Sequence, residues 1–217
     1  MKSTFLSIGT GPGIGLNTAI RFAKEGFHPV LTARNPDRLK LLADELRQAT
    51  GQEADVVKVD AGDPEQIVRL AERYAHEIDV LHYNAAIVHS QSLAEADYSD
   101  LAEDIRVGII GCLYTLKAFA PAMLARRKGT ILLTGGSLSL FPAPEYLSLG
   151  VAKAGVRNIT EALFKHFTKQ SVHIANITVS SAIAPRSPEA EAVADLFWKI
   201  HCQPKSQWTW DEVYSKE

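Results

Sequence analysis

Residues 3–23 read STFLSIGTGPGIGLNTAIRFA. Phe5, Leu6 and Ile8 lead straight into Gly9-Thr10-Gly11-Pro12-Gly13-Ile14-Gly15, and Leu16, Ala19, Ile20 and Ala23 follow at helical spacing. The pattern predicts strand, tight glycine loop and helix. Glycines let the main chain turn sharply and let a pyrophosphate approach it. The helix that follows offers unpaired N–H groups and the positive end of its dipole to an anion. A glycine cluster alone is only a turn; the strand before it and the helix after it are what a nucleotide site requires. The stretch therefore predicts a dinucleotide cradle formed by Gly9, Thr10, Gly11, Pro12, Gly13 and Ile14.

Outward from this unit, strands and helices alternate along most of the chain. His28–Ala33 is expected as a second strand, and Asn35-Pro36-Asp37 opens a helix with a cap and a proline in its first turn, stopped at Gly51. Residues 54–59 form a third strand and Asp63-Pro64 opens the next helix. Residues 78–83 form a fourth strand, and residues 93–127 hold one or two helices. Thr130–Thr134 is a strand, residues 145–169 a long helix, 172–179 a strand and 188–202 a last amphipathic helix. A tail with Trp208, Trp210 and Val213 is apolar enough to dock on the domain. This rhythm predicts one doubly wound α/β domain over residues 1–217, with a parallel sheet between two helical layers and ligands beyond the carboxyl ends of the strands.

Composition narrows the partners. The 217 residues carry a net charge of −2, with 46% apolar and 22% charged residues. That balance gives no footprint for nucleic acid or an anionic membrane. No apolar run approaches the roughly 18–20 residues of a membrane span, and Met1-Lys2 leads into a strand rather than a secretory leader. Cys112 and Cys202 stand in separate segments and are expected as buried free thiols in a reducing cytoplasm. The seven histidines show no ligand spacing, so no metal is expected.

The second strand names the nucleotide. It ends Thr32-Ala33-Arg34-Asn35, with no Asp or Glu to accept from the ribose 2′-OH of NAD. The Arg34 guanidinium can fork onto a phosphate dianion, which points to NADP, with Asn35 beside it. The alternative for Arg34 is a solvated residue at a helix start. The same absence of an acid, together with Lys153, argues against an S-adenosylmethionine methyltransferase.

The spacing Gly9-x-x-x-Gly13-Ile14-Gly15 resembles the T-G-x-x-x-G-I-G motif of the short-chain dehydrogenase/reductase family, with Ile8 at the threonine. The resemblance spans residues 3–200. It implies that Asp60 and Ala61, after the third strand, lie beside the adenine; read alone, Asp60 is equally a turn acid before a helix. Tyr83-Asn84-Ala85-Ala86 is similar to the family's N-N-A-G, implying that Asn84, Ala85 and Ala86 let the cofactor lie against the backbone, although an asparagine there also suits a turn. The family's Y-x-x-x-K is matched at Lys153 but has Leu149 four residues earlier. The lysine holds the nicotinamide ribose and lowers the pKa of the tyrosine that moves the proton, a task leucine cannot do. Tyr146, two turns before Lys153, would share its face about 10 Å along the axis, as proton donor or as a residue for packing or substrate contact. The family's paired serines fall on Gly135-Gly136, leaving Ser137 to bond a substrate oxygen, and its helix asparagine falls on Gly108. Ile183 takes the place that meets the carboxamide through its backbone.

The resemblance implies an NADP-dependent oxidoreductase acting on a small carbonyl or alcohol with an atypical proton donor: water, Ser137 or Tyr146. The alternative is a catalytically inactive NADP-binding sensor or partner protein on the same fold. The run between Val179 and the last helix is too short for the family's usual substrate loop, which implies an open or differently covered pocket. The family's two long helices, here residues 97–127 and 145–169, imply a homodimer or homotetramer.

Overall fold

The computed structural model describes residues 3–215. The elements run β1 (Thr4–Ile8), α1 (Ile14–Lys24), β2 (His28–Ala33), α2 (Pro36–Thr50), β3 (Asp55–Lys58), α3 (Pro64–Tyr74), β4 (Ile78–Tyr83) and α4 (Tyr98–Ile105). A π-helical segment, Arg106–Ile110, joins α4 to α5 (Gly111–Arg126). Then come β5 (Thr130–Thr134), α6 (Leu147–Lys169), β6 (His173–Val179), α7 (Pro188–His201) and β7 (Asp211–Tyr214). The strands pair in the order β3-β2-β1-β4-β5-β6-β7, every pair parallel. This is the expected doubly wound α/β sheet, and its order reverses between β1 and β4, where the first crossover leaves a crevice.

Alternation along each strand builds the two layers. Leu6, Ile8, Leu81, Ile131, Leu133 and Ile174 face the side covered by α3, α5 and α6. Phe5, Leu31, Val80, Leu132 and Ile177 face α1, α2 and α7. The predicted helix starts form by the expected chemistry. The Asn35 side chain accepts from the N–H groups of Asp37 and Arg38, and that of Asp63 from Glu65 and Gln66; each is followed by proline.

The structure corrects several expectations. The tail is a seventh strand: Asp211 Oδ1 accepts from Asn176 Nδ2 at 2.7 Å and Thr178 Oγ1 at 2.8 Å. Trp208 stacks on His173 at 4.6 Å, and the Arg157 guanidinium lies 4.6 Å over Trp210. Tyr146 is not on α6. Residues 144–146 form a short 3₁₀ turn, and Tyr146, with φ −122° and ψ 35°, caps α6, which begins at Leu147. Cys202 is exposed, because it follows Ile200 by two positions and is turned off the buried face of α7; Cys112 is buried, and both are free thiols. Tyr98–Arg126 forms one 29-residue helix that is long and apolar enough to cross a membrane by length and composition. Half of its most apolar window is buried in the domain, where Leu116 and Phe119 join the core.

One buried group ties stability to pH. His82 is fully buried on β4, with Nε2 3.0 Å from Thr134 Oγ1 and Nδ1 3.4 Å from Ser7 Oγ. Burial, aided by the Lys153 charge, pushes its pKa down to about 3. The unfolded histidine titrates near 6.5, so between these values the unfolded chain binds the extra proton. Stability present above pH 6.5 is therefore lost as the pH falls toward 3, by up to about 1.4 kcal/mol per unit from this residue. Urea unfolding at pH 7 and pH 5 is expected to show this loss, and His82→Gln is expected to shrink it; an unchanged slope would remove His82 as the cause.

Candidate active site

The glycine loop is fixed from below and open above. The N–H groups of Gly9 and Thr10 both donate to Thr32 O, at 3.1 and 2.7 Å, which locks the loop to β2. Asn84 Nδ2 donates to Gly9 O at 2.9 Å. Gly9 has φ +80°, and a Cβ built on it would come within 2.5 Å of Ala85 Cα, so β4 and the loop meet backbone to backbone. The N–H groups of Gly13 and Ile14 meet no protein acceptor among the described residues, and the first turn of α1 holds no acid. These are donors a helix start leaves free.

Beside the loop lies a cleft of about 310 Å³ at the carboxyl ends of β1–β4. It brings together Gly9, Thr10, Gly11, Arg34, Asp60, Ala61, Asn84, Ala85 and Ala86, nine of the residues singled out in the sequence. Ala33, Arg38, Val59 and Val107 complete it. Asn35 does not line it, because its side-chain oxygen is spent on capping α2 at 3.1 and 3.0 Å. Pro12, Gly13 and Ile14 lie past its edge toward α1. The Ile183 carbonyl comes 3.9 Å from where a Gly13 Cβ would stand, so the loop after β6 closes over the helix start.

A strap of alternating charge links Arg34 and Asp60 of the cleft wall through Glu103 and Arg106. Arg34 Nη1 is 3.2 Å from Glu103 Oε1. Arg106 donates to both Glu103 oxygens, at 2.6 and 2.7 Å, and to Asp60 Oδ2 at 3.0 Å. Asp60 also accepts from Gly62 N at 2.9 Å. Arg34, at 57% side-chain exposure, has most of its guanidinium donors open to solvent.

The far end of the site is built on β5 and α6. Lys153 Nζ donates to Thr134 O at 2.7 Å, and burial pushes its pKa down to about 8. Leu149, one turn before it, is buried. A Cβ at Gly136 would come 3.3 Å from Lys153 Cγ, so the space beside the lysine stem is held free of a side chain. Ser137 follows in a 3₁₀ turn, Ser137–Ser139, and Tyr146 lies in its own turn before α6. Gly108 sits in the π-helical segment, and a Cβ there would stand 2.6 Å from Ala152 Cβ, so the position serves helix contact. The Tyr83 hydroxyl donates to Val107 O, a carbonyl of that segment. Nearby, buried Asp104 accepts from Ser148 Oγ at 2.5 Å and pairs with His89 Nδ1 at 3.0 Å.

Sequence reading missed Arg38, Glu103, Arg106 and the His89–Asp104–Ser148 group. Arg38 was within reach, as a second arginine four positions after Arg34, in the first turn of α2. The others pair residues too far apart in the chain for any local pattern to join them.

The residues present suit a dinucleotide. The N–H groups of Gly13 and Ile14 meet no acceptor among the described residues and the first turn of α1 holds no acid, the loop can take a flat approach, and Arg34 and Arg38 line the cleft beside it.

Comparison with known proteins agrees with this geometry. A family model described as short chain dehydrogenase matches residues 3–187. An uncharacterised oxidoreductase of Staphylococcus saprophyticus is 29% identical over 187 residues, 84% of this chain and 80% of that protein. A crystal structure of a short-chain dehydrogenase from Rhodopseudomonas palustris superposes with a TM-score of 0.87 at 24% identity, over 99% of both chains. A metagenomic short-chain oxidoreductase solved in complex with NADP gives a TM-score of 0.86 at 23% identity, over 97% of this chain and 96% of that one.

Proposed function

The chain belongs to the short-chain dehydrogenase family, and from that membership we propose that it is an NADP-dependent oxidoreductase acting on a small carbonyl or alcohol. The observation that carries the cofactor choice is the end of β2, where Arg34 lines the cleft and the run Thr32-Ala33-Arg34-Asn35 carries no acid. The NADP-bound metagenomic relative supports the same reading. The amides of Gly13 and Ile14 would hold the pyrophosphate, Arg34 the 2′-phosphate, and Ala85 and Ala86 the flank of the ribose. Asp60 and Ala61 would border the adenine, and the Ile183 backbone would meet the carboxamide.

NADP, when bound, supplies or takes up the hydride. The chain has to orient the substrate oxygen and see it protonated. Lys153 Nζ, charged below about pH 8, would hold the nicotinamide ribose and favour negative charge at the substrate oxygen. With Leu149 unable to move a proton, the proton would come from water or through Ser137 Oγ. Tyr146, off the helix, is left to contact substrate.

A second reading has its own support. Leu149, Gly136 and Gly108 leave the reacting end without the three polar groups the family resemblance implies, and Gly108 is occupied with helix packing. That favours an NADP-binding sensor or partner protein. Turnover of NADPH with a panel of aldehydes and ketones separates the two. The enzyme reading expects turnover that Lys153→Ala lowers at least about 100-fold. NADPH binding without turnover on any carbonyl would favour the sensor. Turnover indifferent to Lys153→Ala would overturn the assignment of the reacting end.

A further inference from the structure

We propose that Glu103 sets the cofactor preference of this cleft by competing with the NADP 2′-phosphate for Arg34. The inference rests on the assignment of Arg34 to that phosphate and extends it to the carboxylate that Arg34 already meets. Arg34 stands in the turn after β2, and Glu103 on α4, 69 positions further along; they meet at 3.2 Å.

Glu103 is not free to swing aside when an anion arrives. Arg106, three positions on along the same helical stretch, holds both its oxygens, and Arg106 is itself anchored on Asp60. A single carboxylate is thus fixed by two bonds from one arginine while it occupies one N–H of the other. A phosphate dianion docking on the remaining donors of Arg34 keeps a fixed negative charge as its neighbour. A cofactor with a plain 2′-hydroxyl meets no such penalty. At a separation of about 6 Å, and with the screening of a solvent-exposed site, a carboxylate opposing a dianion changes affinity by about tenfold. In the free protein the same carboxylate partly neutralises Arg34, which lowers the attraction the incoming phosphate feels. Both effects act in one direction: the chain holds NADPH more weakly than its two arginines alone would dictate.

The test is direct titration of the full chain with NADPH, NADH and 2′,5′-ADP, in wild type, Glu103→Gln and Arg34→Ala. Glu103→Gln keeps the length of the side chain and one carbonyl acceptor for Arg106 while removing the charge. It is expected to tighten NADPH and 2′,5′-ADP about tenfold and to leave NADH within threefold. Unchanged or weaker NADPH binding in Glu103→Gln would overturn the proposal, since it would mean that Glu103 orients Arg34 for the phosphate or plays no part. The Arg34→Ala arm keeps the two readings apart. If Arg34→Ala fails to lower the ratio of NADPH to NADH affinity, the 2′-phosphate assignment itself falls. If that ratio drops while Glu103→Gln does not raise it, only the role of Glu103 falls. Should Glu103→Gln not fold, Glu103→Asp withdraws the carboxylate from Arg34 by one methylene. It is expected to tighten NADPH about threefold, and no gain there counts against the proposal.

Discussion

Arg34→Ala is expected to weaken NADPH binding about 30-fold while leaving NADH within about threefold. A hydrogen bond to a charged group contributes about 1.5–3 kcal/mol, and the guanidinium can offer a phosphate two at once. The side chain is 57% exposed and already shared with Glu103, so the gain is discounted for solvent and for the competing carboxylate. A net loss of about 2 kcal/mol corresponds to the stated factor. The loss is expected to shrink as salt rises, because the Debye length falls from about 10 Å at 0.1 M to about 3 Å at 1 M. Arg38, which lines the same cleft, would leave a residual preference in the variant. Fluorescence titration with both nucleotides at two salt concentrations checks all of this. Equal losses for NADPH and NADH would place Arg34 away from the 2′-phosphate.

Gly9→Ala is expected to have the larger effect on the molecule as a whole. Its φ of +80° carries a penalty of about 1–2 kcal/mol for any residue with a Cβ. The added atom would also stand 2.5 Å from Ala85 Cα and 2.7 Å from Ala85 N, a collision with backbone rather than with a side chain that can turn away. Together these cost about 3 kcal/mol or more, which for a chain of this size lowers Tm by about 6–12 °C. Because Ala85 borders the cleft, the displaced segment would also spoil nucleotide binding. Gly11→Ala is the internal control, since a Cβ there meets nothing within 4 Å. Thermal melts with and without NADPH are expected to show a large drop and no nucleotide shift for Gly9→Ala, and a melting point close to wild type for Gly11→Ala. A Gly9→Ala protein that melts like wild type would contradict the close approach of β1 and β4.

What was legible in the sequence follows from how locally each feature is encoded. The glycine loop, the caps at Asn35 and Asp63 and the alternating apolar runs are properties of neighbouring residues, and they gave the sheet, its helices and nine residues of the cleft wall. Features that depend on distant pairs were silent. The charged strap joins Arg34 to Glu103 and Arg106 to Asp60, and no periodicity links those positions. The tail gave only its hydrophobic residues. Its place as β7 depends on Asp211 meeting Asn176, Thr178 and Arg157, all contributed by other elements. The position of Tyr146 was misjudged because helical spacing was counted back from Lys153 past Leu147, where α6 begins; Tyr146 is its cap, with non-helical backbone. Gly108 was legible only as a missing asparagine; its contact with Ala152 gives the residue a use of its own.

The proposed function comes down to a single physical claim: the amides at the start of α1 and the Arg34 guanidinium would together select a dinucleotide carrying an extra phosphate. Isothermal titration of the wild-type protein with NADPH and with NADH tests it most directly. NADPH is expected to bind at least about tenfold more tightly, a difference of about 1.4 kcal/mol. NADH binding as tightly as NADPH, or neither binding at all, would contradict it.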